Sequence, residues 1–145
     1  MTEKKICVFS LSERDEAFGH KDMERAKHWL MNKDEKPYYF AEKSPKDGLP
    51  PGSIVLFSFD ARIFGKATVK EDVKEVPFEE QEARRKMGKP VYRHSMILNG
   101  ASIELLPYNP TKKEIAEKLE IRFGQVFKYL DLKQYQEILK MARVQ

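Results

Sequence analysis

Within one short stretch the chain sets Phe57, Phe59 and Phe64 beside Asp60 and Arg62. Aromatic rings next to charges are the equipment of a binding surface, because rings offer flat faces for packing and charges offer directed pairing. Equipment for making and breaking bonds is not visible. There is no nucleophile elbow, no metal-ligand cluster and no glycine-rich phosphate loop. His20, His28 and His94 with the single Cys7 show no ligand spacing, so no zinc or other metal site is expected. Serine, histidine and aspartate occur, but at no diagnostic spacing, and no catalytic residue is assigned.

These residues need a frame. Ser53 to Phe59 (Ser-Ile-Val-Leu-Phe-Ser-Phe) is β-branched and aromatic, the composition of a pleated, half-buried surface. Asp60-Ala61-Arg62 is a short polar break, and Ile63 to Val69, with Gly65 inside it, reads as a second strand. Strands this close must be antiparallel, since a parallel partner needs a long crossover. A hairpin is therefore predicted at the centre of the chain.

Before it, Lys5 to Leu11 reads as a first strand and Ser10 to His20 as a long polar loop. A helix follows from Met23 to Asn32, capped by Asp22, with Met23, Ala26 and Trp29 or Leu30 on one face. Trp29 reads as core packing, with ligand stacking as the alternative. Pro37 stops the helix, Tyr38 to Ala41 makes a short edge strand, and Glu42 to Gly52 is turn-rich. After the hairpin come the charged segment Lys70 to Val76 and a helix with Pro77 as its first residue, ended by Gly88. That helix is acidic first and basic last, so Arg84-Arg85-Lys86 reads as compensation of its dipole, with phosphate binding as the alternative. Val91 to Leu98 is a strand. Asn99-Gly100 is a strong hairpin signal that makes Ala101 to Pro107 its partner. Thr111 and Glu114 stand at capping-box spacing. The stretch Arg122 to Leu130 turns strand-like at its end. A last helix runs from Leu130 to Ala142, with Asp131 as its cap and Leu132, Tyr135, Ile138, Leu139 and Ala142 on one face.

A length of 145 residues suits one domain with one core. The 41% hydrophobic and 34% charged composition fits a globular chain with a heavily charged surface. No apolar run approaches a membrane span, and the apolar run after Lys5 is about five residues, too short for a signal-peptide core. A cytoplasmic location is expected. Cys7, between Ile6 and Val8, is expected to be an inert core thiol. The net charge of +4 allows a polyanionic partner without requiring one. The expected fold is α+β: a curved, mostly antiparallel sheet or small barrel with helices packed around it, formed by residues 1–145 as a single domain.

The layout resembles the PUA-like superfamily, and within it the EVE and YTH domains. The motif Gly-Asp-x-Val-Leu-Phe-Tyr is matched by Gly52-Ser53-Ile54-Val55-Leu56-Phe57-Ser58. The motif Ile-x-Gly-x-x-x-Val is matched by Ile63-Phe64-Gly65-Lys66-Ala67-Thr68-Val69. Ser53 replaces the usual Asp and Ser58 the usual aromatic. The tryptophan cage of YTH domains is missing as a set, and the glycine-lysine signature of ASCH domains is not seen. The resemblance implies binding of RNA or DNA, with an unpaired or flipped, modified base held in a cleft between the first loop and the hairpin. Bases are held by stacking and edge hydrogen bonds, with cations on the flanking phosphates. On that basis Ser10, Ser12, Phe57, Ser58 and Phe59 are pocket candidates, with Trp29 as a further stacking candidate. Arg62, Lys66, Arg93 and His94 are phosphate candidates. A binding module without a cofactor is thus expected, with no membrane partner. The alternatives are a small enzyme acting on nucleic acid or a nucleotide, and a small-ligand or protein-interaction domain using Tyr38-Tyr39-Phe40. Oligomeric state is left open.

Overall fold

The computed structural model describes residues 3–11, 22–33, 36–40, 45, 48–89, 91–123 and 127–144. The expected loop from Ser10 to His20 lies mostly outside these residues. Among the described residues, seven strands form one curved, open sheet: β1 (Ile6–Ser10), β2 (Pro37–Tyr39), β3 (Ile54–Phe59), β4 (Arg62–Glu75), β5 (His94–Leu98), β6 (Glu104–Leu105) and β7 (Phe127–Leu130). Their spatial order is β2-β5-β4-β3-β1-β7, with β6 paired to β4. Every pairing is antiparallel except β1 with β3. Among the described residues, four α-helices accompany the sheet: α1 (Met23–Met31), α2 (Phe78–Lys86), α3 (Lys112–Leu119) and α4 (Leu132–Met141). The α+β class and the mostly antiparallel curved sheet are as expected, and the sheet stays open.

β4 is the backbone of the sheet. The sequence predicts its end at Val69, yet it continues to Glu75. Residues 62–68 pair with β3, and residues 69–75 pair with β5. Register shifts at Phe57/Ser58, Val69/Glu71 and Glu71/Lys74 interrupt the ladders. Such bulges bend a strand and increase its twist, which lets one strand serve both halves of a curved sheet.

Alternation sorts the side chains into two cores. Phe9, Phe57, Phe59, Phe64, Trp29, Leu30, Tyr38 and Phe40 form one. Val8, Leu56, Ile63, Ile115, Tyr135 and Ile138 form the other, on the side of α3 and α4. Leu132, expected on the buried face of α4, is 60% exposed. It is the first residue after the cap, where the chain is still turning into the helix.

The β3–β4 turn is a two-residue loop, since Phe59 pairs with Arg62. Asp60 (φ 51°) and Ala61 (φ 59°) both lie in the left-handed region, as a type I′ turn requires. For an L-residue that backbone conformation costs roughly 1–2 kcal/mol, so exposed Ala61 replaced by glycine should stabilise the protein by about 1 kcal/mol. A higher urea midpoint for Ala61→Gly at unchanged slope would verify this. An unchanged or lower midpoint would mean that the turn relaxes in some other way.

Asn99-Gly100 does not make the expected hairpin. Asn99 is extended (φ −75°, ψ 110°), and Gly100–Ser102 forms a 3₁₀ turn. The Asn99 side chain accepts from Ala101 N–H, and Ser102 Oγ donates to Asn99 O. β5 takes β4 and β2 as partners, and the short β6 returns to β4 at Gly65 and Lys66. Pro77 is the N-cap of α2 and not its first residue.

Candidate functional site

β1 and β3 run parallel and in register, so their C-terminal ends coincide at Ser10 and Ser58. The β3–β4 turn lies against the entry to α3. Ile63 N–H donates to Pro110 O (3.0 Å), and Lys112 N–H donates to Ala61 O (2.8 Å). Arg62 bridges to Thr111, and its guanidinium donates to Asn109 O at 3.1 Å. A complete capping box between Thr111 and Glu114 starts α3 at this point.

That docking delivers Lys112 to the strand ends. Its Nζ donates to Ser10 Oγ at 2.5 Å. Ser58 Oγ donates to Phe9 O (3.3 Å) and lies 3.4 Å from Ser10 Oγ. The Phe123 ring centroid is 5.6 Å from Lys112 Nζ. Ser58 is buried, while Ser10 and Lys112 are half-buried. Burial holds the Lys112 ammonium below its ordinary pKa, and no described carboxylate lies within ion-pair distance of it. Nearby, the buried Asn109 Oδ1 has no hydrogen-bond donor among the described residues. An unmet buried acceptor costs about 1–3 kcal/mol. This end of the sheet thus gathers two hydroxyls, a poorly solvated cation, an aromatic face and an unmet acceptor.

Of the residues predicted from sequence, Ser10, Ser58 and Arg62 meet here. Ser12 lies outside the described residues. Phe57 and Phe59 do not line this site: both are buried in the core on the α1 side. Strand alternation turns them away from Ser58. Trp29 is 9% exposed and meets Phe57 and Tyr38 edge-on at 6.1 and 5.8 Å, and its other side lines a separate hollow of about 500 Å³ along α1. Lys66 is paired with Glu104 at 3.4 Å, beside a separate hollow of about 480 Å³ that reaches Tyr135. Arg93 is exposed and His94 opens β5 opposite Glu75. Lys112 and Phe123 escaped the sequence reading. One signal was present: Lys112 and Lys113 open a helix, where the dipole disfavours cations.

Cys7 is buried, and burial pushes its thiol up to about 12, as expected of an inert core residue. No cluster of His, Cys, Asp or Glu able to hold a metal occurs among the described residues. No described helix is long and apolar enough to cross a membrane.

No protein-family model matches the chain, and no curated protein matches it. Solved structures do. The ASCH protein of Zymomonas mobilis superposes with a TM-score of 0.65 at 12% identity, covering 96% of each chain. Human THYN1, solved in complex with 5-methylcytosine-containing DNA, gives 0.64 at 9% identity over 96% of this chain and 98% of its own. The YTH domain of Zygosaccharomyces rouxii MRB1, solved in complex with N6-methyladenosine RNA, gives 0.54 at 13% identity over 97% and 88%. At such identities the likeness establishes the fold alone, the one these ASCH, THYN1 and YTH structures share.

Proposed function

We propose that this PUA-like domain binds nucleic acid and receives an unpaired or flipped, modified base at the joint ends of β1 and β3. The observation that carries this reading is Lys112, a half-buried cation that rests on Ser10 and has no described carboxylate partner. The half-buried Ser10 hydroxyl, with buried Ser58 behind it, suits the hydrogen-bonding edge of a base, and the Phe123 ring offers a stacking face. Arg62, exposed at the hairpin tip, would take a flanking phosphate. The methylated nucleic acids bound to THYN1 and to the YTH domain support the same partner class.

The test is fluorescence anisotropy with labelled RNA and single- and double-stranded DNA, with and without methylated bases, at two salt concentrations. Binding should weaken as salt rises, because phosphate contacts release counterions. Lys112→Ala should weaken it about 10- to 100-fold, the scale of a hydrogen bond to a charged group. Failure of every oligonucleotide to bind at low salt would end this reading.

A second reading is favoured by one contact. In its neutral form, Lys112 Nζ, 2.5 Å from the Ser10 hydroxyl, would accept that hydroxyl's proton and activate its oxygen as a nucleophile. In that case the domain is a small hydrolase of nucleic acid or nucleotides. Turnover that vanishes in Ser10→Ala while oligonucleotide binding persists would decide for it.

A further inference from the structure

Resting on the nucleic-acid reading above, we infer a second contact for the strand, on the surface where β2, the start of β5 and α2 meet. There the Tyr39 and Tyr92 rings stack with centroids 5.6 Å apart and planes 22° apart. The Arg84 guanidinium lies 4.8 Å from the centre of the Tyr92 ring. Tyr92 is buried, while Tyr39 is 37% exposed at a sheet edge. The series Arg84, Tyr92, Tyr39 therefore ends on an open aromatic ring, which a base can extend. Base stacking on aromatic side chains is tolerant of sequence and suits single strands.

The surrounding charge fits the same partner. From Ala83 to Ile103 the chain carries Arg84, Arg85, Lys86, Lys89 and Arg93 and no carboxylate. Opposing charges are local: Glu80 lines the hollow between α2 and Tyr39, Glu82 pairs with Arg85, and Glu75 faces His94. Lys86 and Arg93 are exposed beyond them. α2 itself contributes nothing to the core, for none of its residues is buried. At nine residues it is shorter than the roughly 12–15 that an isolated helix needs in water. It is held by its charge order, by Gln81 Nε2 donating to Val76 O at 2.9 Å, and by the Arg84–Tyr92 contact. A helix kept in place yet outside the core serves here to present cations beside the stacking ring.

The expected ligand is the single-stranded flank of the nucleic acid whose base enters the β1–β3 site. Two oligonucleotides carrying the same modified base separate the two surfaces: one of about 4 and one of about 12 nucleotides. Tyr39→Ala should weaken binding of the longer strand about tenfold or more and leave the shorter unchanged. Tyr39→Phe should behave as wild type. Lys86→Ala combined with Arg93→Ala should lower the salt slope for the longer strand by roughly 1.4, about 0.7 for each lost phosphate contact. Equal unfolding midpoints for all variants would exclude a folding defect. If Lys112→Ala weakens both lengths while Tyr39→Ala weakens neither, this second contact is wrong and the base site stands. If the wild type binds neither length, both proposals fall together.

Discussion

Phe57→Ala is expected to lower the free energy of unfolding by about 3–5 kcal/mol, the usual cost of deleting a large core aromatic. Phe57 is fully buried, with ring contacts to Phe9 (6.3 Å), Trp29 (6.1 Å) and Tyr38 (5.7 Å). Removing it leaves a cavity under the middle of the sheet, because β3 and β1 are fixed by their ladders and cannot close around it. A domain of this size has roughly 5–15 kcal/mol of stability, so the loss is a large fraction of the whole. Trp29 is the only tryptophan and touches the deleted ring, which makes its fluorescence a direct reporter in a urea titration. The resemblance to EVE and YTH domains implied instead that Phe57 touches ligand. The two roles separate cleanly. A core residue shifts the urea midpoint and leaves the affinity of the folded fraction intact. A ligand-facing residue does the reverse, and that outcome would overturn the burial argument.

Gly65→Ala should destabilise by about 1–3 kcal/mol through overpacking. A Cβ at this position would lie 2.3 Å from Leu30 Cδ2 and 3.4 Å from Glu104 O. Leu30 is itself fully buried in α1, so its methyl has no solvent to move into. Glycine here is a matter of space and not of backbone conformation: it lets α1 approach β4 where β4 pairs with both Phe57 and Leu105. The mechanism predicts coupling. In a Leu30→Ala background the added methyl meets a cavity, so the cost of Gly65→Ala should fall toward zero. A double-mutant cycle by urea unfolding measures this, and strict additivity would show that Leu30 is not the obstacle.

Local signals carried much of the secondary structure. Asp22 caps α1 by accepting Arg25 N–H at 2.8 Å. Thr111 with Glu114, and Asp131 with Gln134, form complete capping boxes. Gly88 ends α2 at φ 71°. Each of these depends on residues within one helical turn, and so each is legible in a short window. The β3–β4 hairpin was legible for the same reason. The alternation that buries Phe57 and Phe59 together was also visible, but not which face of the strand would meet α1.

What the sequence by itself determined is therefore the local set: caps, turns, the central hairpin, the buried thiol, and through their order the α+β layout. Asn99-Gly100 marks the limit, because a strong turn signal lost to a longer-range demand. The extended β4 offered β5 a full antiparallel partner, and the Asn99 side chain instead tied a 3₁₀ turn. The family layout named Ser10, Ser58 and Arg62, but their meeting with Lys112 and Phe123 belongs to tertiary structure. Ser10 and Ser58 are neighbours only because β1 and β3 pair in parallel, which no local window reveals. Lys112 reaches Ser10 across 102 residues of chain, carried there by hydrogen bonds from the α3 entry to the β3–β4 turn. Local preferences act over a turn or two of chain, whereas this site is held by contacts that exist only after the sheet has curved.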